Sequence, residues 1–261
     1  MKKKWLSLFI LLGLVLVLTG CQLNEPITSE SEGIWNKFFV YPLSWLIVTV
    51  AEFFNNSWGY GLAIIVVTLL IRTAILPLMV NQIKSSKKMQ LIQPELEELK
   101  KKYSSKDALT QQKLQQAQVN LMQKYDVNPL SGCLPILIQM PILLAFYHAI
   151  MRTAQLDGEV FLWFELNEVD YVLPIITAVT TFLQQKVMTR GQTQTPQLAM
   201  MLWMMPILIG FAAFAVPAAL PLYWIVGNIY SIVQSYFIKT PEIAGLSKDA
   251  TKSGGSGGKK K

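Results

Sequence analysis

Residues 61–80, GLAIIVVTLLIRTAILPLMV, form an apolar run long enough to cross a bilayer, and this run carries one charge, Arg72. At roughly 1.5 Å per helical residue, the guanidinium lies well inside the hydrocarbon from either end. A charge near the bilayer centre costs roughly 2.5 to 3.5 kcal/mol, so such a residue usually faces water or a partner. The run predicts a transmembrane helix with a functional arginine, and the structural alternatives are a snorkelling arginine or a buried ion pair.

The composition indicates a polytopic membrane protein. Hydrophobic residues make up 52% of the chain and charged residues only 15%, and several more apolar runs approach membrane-spanning length. The net charge of +7 would suggest nucleic acid in a soluble protein, but here the basic residues flank apolar runs, which is typical of membrane topology. We expect an all-α fold with five transmembrane helices, at residues 61–80, 133–151, 171–188, 198–215 and 220–238.

The first residues have the pattern of a secretory signal. Lysines at 2–4 precede an apolar stretch over 6–18, and the small residues of Leu18-Thr19-Gly20 lead to Cys21. This ending resembles a bacterial lipobox, which implies removal of residues 1–20 and a lipid such as palmitate on Cys21. Residues 21–33 would then form an extracytoplasmic tether. The alternative is a true first transmembrane helix, for which the apolar core is short.

Residues 34–56 are rich in aromatic side chains and also contain Lys37, Pro42 and Glu52. The uncharged apolar part is shorter than a usual span, which favours an interfacial amphipathic helix. A sixth span is the alternative.

The charges on the connections predict one orientation. The segment 82–126 has nine lysines against five acidic residues, whereas 152–170 has one basic and five acidic residues. Basic loops stay in the cytoplasm, so we expect the first segment and the tail at 239–261 to be cytoplasmic. The processed N-terminus would lie outside a bacterial cell membrane.

The cytoplasmic segment has the pattern of a helical hairpin. Pro94 is placed to open a helix that has acidic residues in its first turn and lysines in its last. Apolar residues then recur at helical spacing on both sides of a break near residues 104–107, which predicts two helices packed antiparallel. A solvated hairpin without a partner is as consistent with the pattern as a docking site. The apolar positions are Ile92, Leu96, Leu99 and Tyr103, then Leu114, Ala117, Leu121 and Tyr125.

Polar residues form stripes on three of the predicted spans. Spacings of three or four residues place each stripe on one helix face, where it could line a watered groove around Arg72. Each stripe alone is more often structural, because Ser and Thr commonly bond their own backbone in such helices. The candidate groove residues are Thr68 and Arg72, Thr181 and Gln184, and Asn228 and Ser231.

The sequence gives little support to an enzyme. His148 is the only histidine, so an ordinary metal cluster is excluded. A protease built on Ser231 and His148 lacks a nucleophile-elbow pattern, and no phosphate-binding loop of the Gly-x-x-x-x-Gly-Lys type is present. We expect neither a cofactor nor a catalytic residue.

Three segments together resemble the YidC/Oxa family of membrane protein insertases, in the short Gram-positive form that is made as a lipoprotein. The resemblance extends from about residue 34 to 238, without the large extracytoplasmic domain of Gram-negative members. The matching segments are TLLIRTAILPL at 68–78, NPLSGCLP at 128–135 with QMP at 139–141, and LYWIVGNIYSIVQ at 222–234.

This resemblance implies five helices around a hydrophilic groove that is open to cytoplasm and lipid and closed outside. In that family the groove arginine receives the acidic extracytoplasmic segment of a small membrane protein. The implied partners are nascent membrane proteins, membrane lipids, the ribosome and the Sec translocon, with a monomer as the working unit. The rival functions are a small-solute or anion transporter that binds its ligand at Arg72 and a lipid-anchored structural protein.

Overall fold

A computed structural model of the chain describes residues 25–105, 107–125, 127, 134–190 and 196–238. Within these ranges the chain is mostly helical, with a short antiparallel strand pair. The helices are α1 (Tyr41–Phe54), α2 (Gly59–Ala74), α3 (Leu76–Leu91), α4 (Gln93–Lys102), α5 (Ala108–Lys124), α6 (Leu134–Arg152), α7 (Leu173–Met188), α8 (Pro196–Ala213) and α9 (Ala219–Phe237), and the strands are β1 (Val160–Phe161) and β2 (Phe164–Glu165).

Several predicted features lie outside the described residues. These are the signal at 1–20, the lipidation site Cys21, most of the motif at 128–135 and the tail at 239–261. They stay predictions.

The helix that precedes α2 falls within residues 34–56, where an interfacial amphipathic helix is predicted. A π-helical turn over Asn36–Val40 runs directly into α1. Together they form a 19-residue helix, Asn36–Phe54, whose length and hydropathy suffice to cross a membrane. The helix ends at Asn55, which adopts the left-handed conformation with φ of 44° that asparagine tolerates better than most residues. Length therefore does not exclude a span here, and the interfacial position of residues 34–56 stays a prediction.

The apolar run that contains Arg72 is bent. The sequence predicts one span over 61–80, but the structure ends α2 at Ala74 and starts α3 at Leu76, with 61° between the two helices. Pro77 supplies a physical reason, because a proline has no N–H for the carbonyl four residues before it and its ring crowds that turn. As a result, α3 joins the end of the apolar run to the start of the segment expected to be cytoplasmic.

Among the described residues, Asn36–Phe54 is the one straight helix that is long and apolar enough to cross a membrane. Helices α2 and α3 together are also long and apolar enough if the bent pair counts as one span. Helices also occupy the other predicted spans, so the fold is confirmed as largely helical, while the five-span arrangement stays a prediction. The corresponding pairs are 133–151 and α6, 171–188 and α7, 198–215 and α8, and 220–238 and α9.

The outward face of α8 is strongly apolar. Met200, Trp203 and Phe211 are 57%, 62% and 74% exposed, while the opposite side of this helix packs on α7. Soluble monomers rarely leave so large an apolar patch in water. Such a surface is suited to contact with lipid or with another hydrophobic segment.

The connection between α6 and α7 covers one end of the helices, which we call the capped end. Its strand pair places the Phe161 ring against Gly61 at the start of α2. The N–H of Ala218, just before α9, donates to the carbonyl of Glu168 at 2.7 Å. These contacts join α2, α9 and residues 154–170 at the same end of the molecule.

Arg152 fastens the N-terminal segment to the capped end. Although it is only 5% exposed, its Nε donates to the carbonyl of Glu25 and its Nη1 to Oδ1 of Asn36, both at 2.8 Å. The N–H of Ile27 in turn donates to the carbonyl of Arg152 at 2.8 Å. These acceptors offset part of the cost of burying the guanidinium. His148, one turn earlier on α6, is also buried, with its ring edge toward Trp35.

The two predicted helices of the segment 82–126 are present as α4 and α5, but they pack over a shorter length than the apolar spacing suggests. Ile92, Leu96 and Val127 are buried together, with Leu121 and Tyr125 packed against them. The hydroxyl of Tyr125 donates to Glu95 at 2.7 Å. Leu99 and Leu114 are only half-buried, so the contact is concentrated at the base of the hairpin.

The Asp107 side chain begins α5 as an N-cap, because it accepts the N–H of Thr110 at 2.8 Å. Hydrogen bonds from Ser105 and Thr110 hold the pKa of this exposed carboxyl well below its usual range. The cap therefore stays ionised at any physiological pH.

The contact at Gly61 predicts how firmly the capped end is held. A methyl group on Gly61 would overlap the Phe161 ring and lie 2.6 Å from its Cβ. We therefore expect Gly61→Ala to lower the thermal unfolding temperature of the purified protein, with a cost of roughly 1 to 3 kcal/mol typical of overpacking. Adding Phe161→Leu should recover part of the loss, since the smaller side chain vacates the space. An unchanged unfolding temperature in Gly61→Ala would show that the hairpin does not press on α2.

The hairpin packing predicts unequal effects for two leucines in α4. Leu96→Ala should open the α4–α5 pair, because removal of a buried leucine side chain costs about 2 to 5 kcal/mol. Leu99→Ala should have a clearly smaller effect, because Leu99 is half-buried. Opening of the α4–α5 pair can be measured by limited trypsin digestion of membrane vesicles, through cleavage at the exposed lysines 100–102. Equal protection of the two variants would contradict packing at the base.

Candidate functional site

Arg72 lies in the last turn of α2 and points across to α9. An added Cβ on Gly227 would lie 2.5 Å from Nη2 and 3.2 Å from Cζ of Arg72. The guanidinium therefore occupies the space that a side chain at position 227 would fill. The sequence marks Arg72 by its charge, and this contact explains why α9 has a glycine opposite it.

The aromatic ring of Tyr223 is the second group beside Arg72. The guanidinium carbon lies 5.9 Å from the ring centroid, at the outer limit of a cation–π contact. Tyr223 is held in place by stacking on Phe146, with centroids 4.5 Å apart, and by a 2.7 Å hydrogen bond from Nε2 of Gln139 to its hydroxyl. Helices α6 and α9 thus fix the position of the Tyr223 ring, and Arg72 of α2 lies beside it.

Among the helices that contact α2, α1 carries one acidic residue, Glu52, which lies near Tyr60 and therefore at the opposite end of α2 from Arg72. The sequences of α2, α6, α7 and α9 contain neither Asp nor Glu. The Nε atom of Arg72 is buried and has no hydrogen-bond partner among the described residues. An aromatic face does not neutralise a full charge, so the site keeps a net positive charge and an unused donor.

Asn228 joins two of the predicted stripes directly. Its Nδ2 atom donates to Oγ1 of Thr181 at 2.9 Å and to Oγ1 of Thr180 at 3.2 Å. This polar cluster connects α9 to α7 one residue after Gly227. Gln184 lies one helical turn beyond Thr181 and is half-buried, so it remains available on the same side of α7.

The hydroxyls of Thr68 and Ser231 bond their own helices. Thr68 is fully buried and donates to the carbonyl of Ile64 at 2.6 Å, while Ser231 donates to the carbonyl of Gly227 at 2.8 Å. This is the structural behaviour that such residues commonly have in helices. Thr68 packs in the helix interface in this structure, and Ser231 is 9% exposed. Their assignment to a wet surface stays a prediction.

Three parts of the site were not predicted from the sequence. Tyr223 and Gln139 both stand in the quoted family segments, but their types and spacing give no sign that they meet. Gly227 is visible only as a small residue that admits close packing. Pairing of residues 84 positions apart in the sequence depends on the tertiary fold and not on helix periodicity.

The described residues hold no group of three or more His, Cys, Asp or Glu side chains that could bind a metal. The chemistry of the site is instead that of one fixed cation, an aromatic face and several amide and hydroxyl groups. Such a set can attract and orient an acidic group by electrostatics and hydrogen bonds.

Comparisons with known proteins agree on one family. The family described as 60Kd inner membrane protein matches residues 49–244. The membrane protein insertase YidC 2 of Bacillus anthracis is 56% identical over 260 residues, which cover 98% of this chain and 99% of the relative. The membrane protein insertase MisCA of Bacillus subtilis (strain 168) is 53% identical over 265 residues, covering 100% of this chain and 99% of the relative.

A solved structure is also similar. The crystal structure of an active YidC insertase, with its first transmembrane domain resolved, matches with a TM-score of 0.64 at 27% sequence identity. The match covers 80% of this chain and 48% of that one. These relatives support the predicted insertase and not the transporter. The chain belongs to the 60Kd inner membrane protein family, the family of the YidC membrane protein insertases.

Proposed function

We propose that this chain is a membrane protein insertase and chaperone that receives the acidic extracytoplasmic segments of small membrane proteins at Arg72. It acts on nascent chains without an enzymatic reaction and without a cofactor. The observation that carries the proposal is the Arg72 guanidinium, which lies between Gly227 and the Tyr223 ring while its Nε donor stays buried and unpaired. A carboxylate of a substrate would satisfy both the charge and the donor.

The proposed groove extends from Arg72 along α7 and α9. Asn228, Thr181 and Gln184 supply amide and hydroxyl groups for a polar segment in transit, and Ser231 and Thr68 are the remaining lining residues. Asn228 and Gln184 are only half-buried, so part of each side chain is accessible from the proposed groove.

The contacts at the capped end support a groove that is closed on the outside. There the strand pair, the α8–α9 connection and the N-terminal segment pack over the helices. A polar segment that enters from the cytoplasm then has only the remaining distance to cross in a dry environment. A membrane potential of 100 mV contributes roughly 2.3 kcal/mol per charge moved fully across, which helps acidic segments outward.

The lipid on Cys21 would place the N-terminus outside, and the basic hairpin of α4 and α5 would place the other end in the cytoplasm. We propose that this hairpin recruits ribosome-bound substrates, with or without the Sec translocon, and that one copy of the chain suffices. The excess of lysines over acidic residues in 82–126 supports the orientation.

Reconstitution with Arg72 variants tests the function. We expect Arg72→Ala to reduce insertion of a single-span substrate with an acidic extracytoplasmic segment by roughly 30-fold or more, since loss of one partner of a desolvated charge pair costs about 2 kcal/mol or more. Arg72→Lys should retain most activity, because the ammonium supplies the same positive charge to the acidic segment. Protease protection of the substrate in proteoliposomes provides the measurement.

Two controls accompany this test. Lys37→Ala removes the same charge from an exposed position outside the groove and the hairpin and should leave insertion unchanged. A substrate whose acidic residues are replaced by amides should respond little to Arg72→Ala. Equal insertion of the acidic substrate by Arg72→Ala and by the unaltered protein would refute the electrostatic role of Arg72. If the unaltered protein inserted no substrate at all, the proposed insertase function would be refuted.

The close approach at Gly227 predicts a graded effect on the same assay. Gly227→Ala should lower insertion by displacing Nη2 of Arg72, which would lie 2.5 Å from the new methyl group, and Gly227→Leu should lower it further. Adding Arg72→Lys to Gly227→Ala should recover activity, because lysine ends in a single nitrogen and not in a planar fork. Ile229→Phe adds bulk at an exposed position of α9 and should have no effect. If Gly227→Leu inserts normally, the position of the guanidinium is irrelevant.

A further inference from the structure

A cavity separate from the Arg72 site lies between α3 and the last two turns of α9. Its volume is about 580 Å³, which is within the range of roughly 300 to 1,000 Å³ typical of small-ligand sites. Leu76 and Val80 line it from α3, and Val233 and Phe237 line it from α9. The cavity begins where the 61° bend turns α3 away from the direction of α2.

The cavity is continuous with the apolar outer surface of the helices. Val233 and Phe237, which form its α9 wall, are 52% and 82% exposed. In a membrane their outer sides would face hydrocarbon, so an acyl chain can enter sideways without crossing a polar layer. A water-soluble ligand would find no such continuity.

Two polar groups of the wall can bind an anion. Lys84 lines the cavity from α3 and is exposed. Gln234 lines it from α9, and its Nε2 atom is buried without a hydrogen-bond partner among the described residues. A phosphate or ester oxygen would complement both groups, whereas an acyl chain alone would leave the amide unsatisfied.

The charge around the cavity has one sign. Helix α3 contains Lys84, Lys87 and Lys88 and no acidic residue, and α9 contains no charged residue at all. Lys87 already donates to the carbonyl of Ile238 at 2.9 Å, which holds α3 near the end of α9. An anionic headgroup therefore fits this edge better than a zwitterionic one.

We propose that this cavity binds one anionic glycerophospholipid of the cytoplasmic leaflet, with an acyl chain between α3 and α9 and the phosphate at Lys84 and Gln234. This inference rests on the orientation in the proposed function, which places α3 at the cytoplasmic face. Basic pockets between membrane helices on that face are suited to such headgroups. The lipid would fill the space opened by the bend and connect α3 to α9.

Lipid retention by the full-length protein tests the proposal independently of insertion. The protein is extracted from nanodiscs of equal phosphatidylglycerol and phosphatidylcholine, and retained lipids are counted by native mass spectrometry. We expect preferential retention of one phosphatidylglycerol. Lys84→Gln should reduce the ratio of phosphatidylglycerol to phosphatidylcholine about fivefold, as expected for one lysine near an anionic surface, whereas Lys113→Gln should not change it.

A second variant tests the acyl-chain position. Val233→Trp places a large side chain in the cavity from an exposed position, and it should abolish retention of the tightly bound lipid. Retention equal to that of the unaltered protein would overturn the proposal, as would equal ratios for Lys84→Gln and Lys113→Gln. These results do not depend on insertion activity. If lipid retention fails, the insertion assay with Arg72 variants still tests the proposed function separately.

Photocrosslinking identifies the occupant directly. A benzoylphenylalanine at position 80, which lines the cavity and is half-buried, should in cells attach to a phospholipid, and Lys84→Gln should reduce that attachment. Attachment to another segment of this chain, or to a second protein, would overturn the proposal and identify that occupant instead.

Discussion

The uncompensated charge of Arg72 is the constraint around which the helices are arranged. A guanidinium among apolar helices needs space, a stabilising surface, and either water or a partner that offsets its charge. Gly227 supplies the space, and the Tyr223 ring supplies the surface. The absence of acidic residues from α2, α6, α7 and α9 leaves the charge without an ion-pair partner on these four helices. An internal ion pair would neutralise the charge of Arg72, and the proposed attraction of an acidic segment would be lost.

The two ends of the molecule are built by different physics. At the capped end, short connections, backbone hydrogen bonds and buried aromatic rings hold α2, α6, α7 and α9 together. At the opposite end, α3 turns away and the α4–α5 hairpin makes its own small cluster. The rigid end fixes the position of the arginine, while the divergent helices leave room beside it. This asymmetry fits the proposed groove, which is closed at the capped end and open at the other.

Sequence reasoning predicted the family, the helical fold and the importance of Arg72, and the relatives confirm the family. Those predictions rest on local features, namely apolar length, a misplaced charge and three short motifs. It did not foresee the break after Ala74, because residues 61–80 are apolar throughout and a proline in a membrane helix often only kinks it. The place of Thr68 in the groove stays a prediction, and tertiary packing buries this side chain completely in the structure. The partners of Arg72 depend on which helices meet, and one sequence carries no direct record of that.

The bend between α2 and α3 also has a mechanical consequence. The backbone hydrogen bonds continue across it, from Ile75 to Ile71 and from Met79 to Ile75, both at 3.0 Å, so bending leaves these peptide groups satisfied. Helix α3 is about 24 Å long at 1.5 Å per residue, and a rotation of roughly 10° at its start would displace its far end by about 4 Å. The α4–α5 hairpin is attached at that far end. The helix therefore acts as a lever arm, through which small changes beside Arg72 and large displacements of the hairpin are geometrically linked.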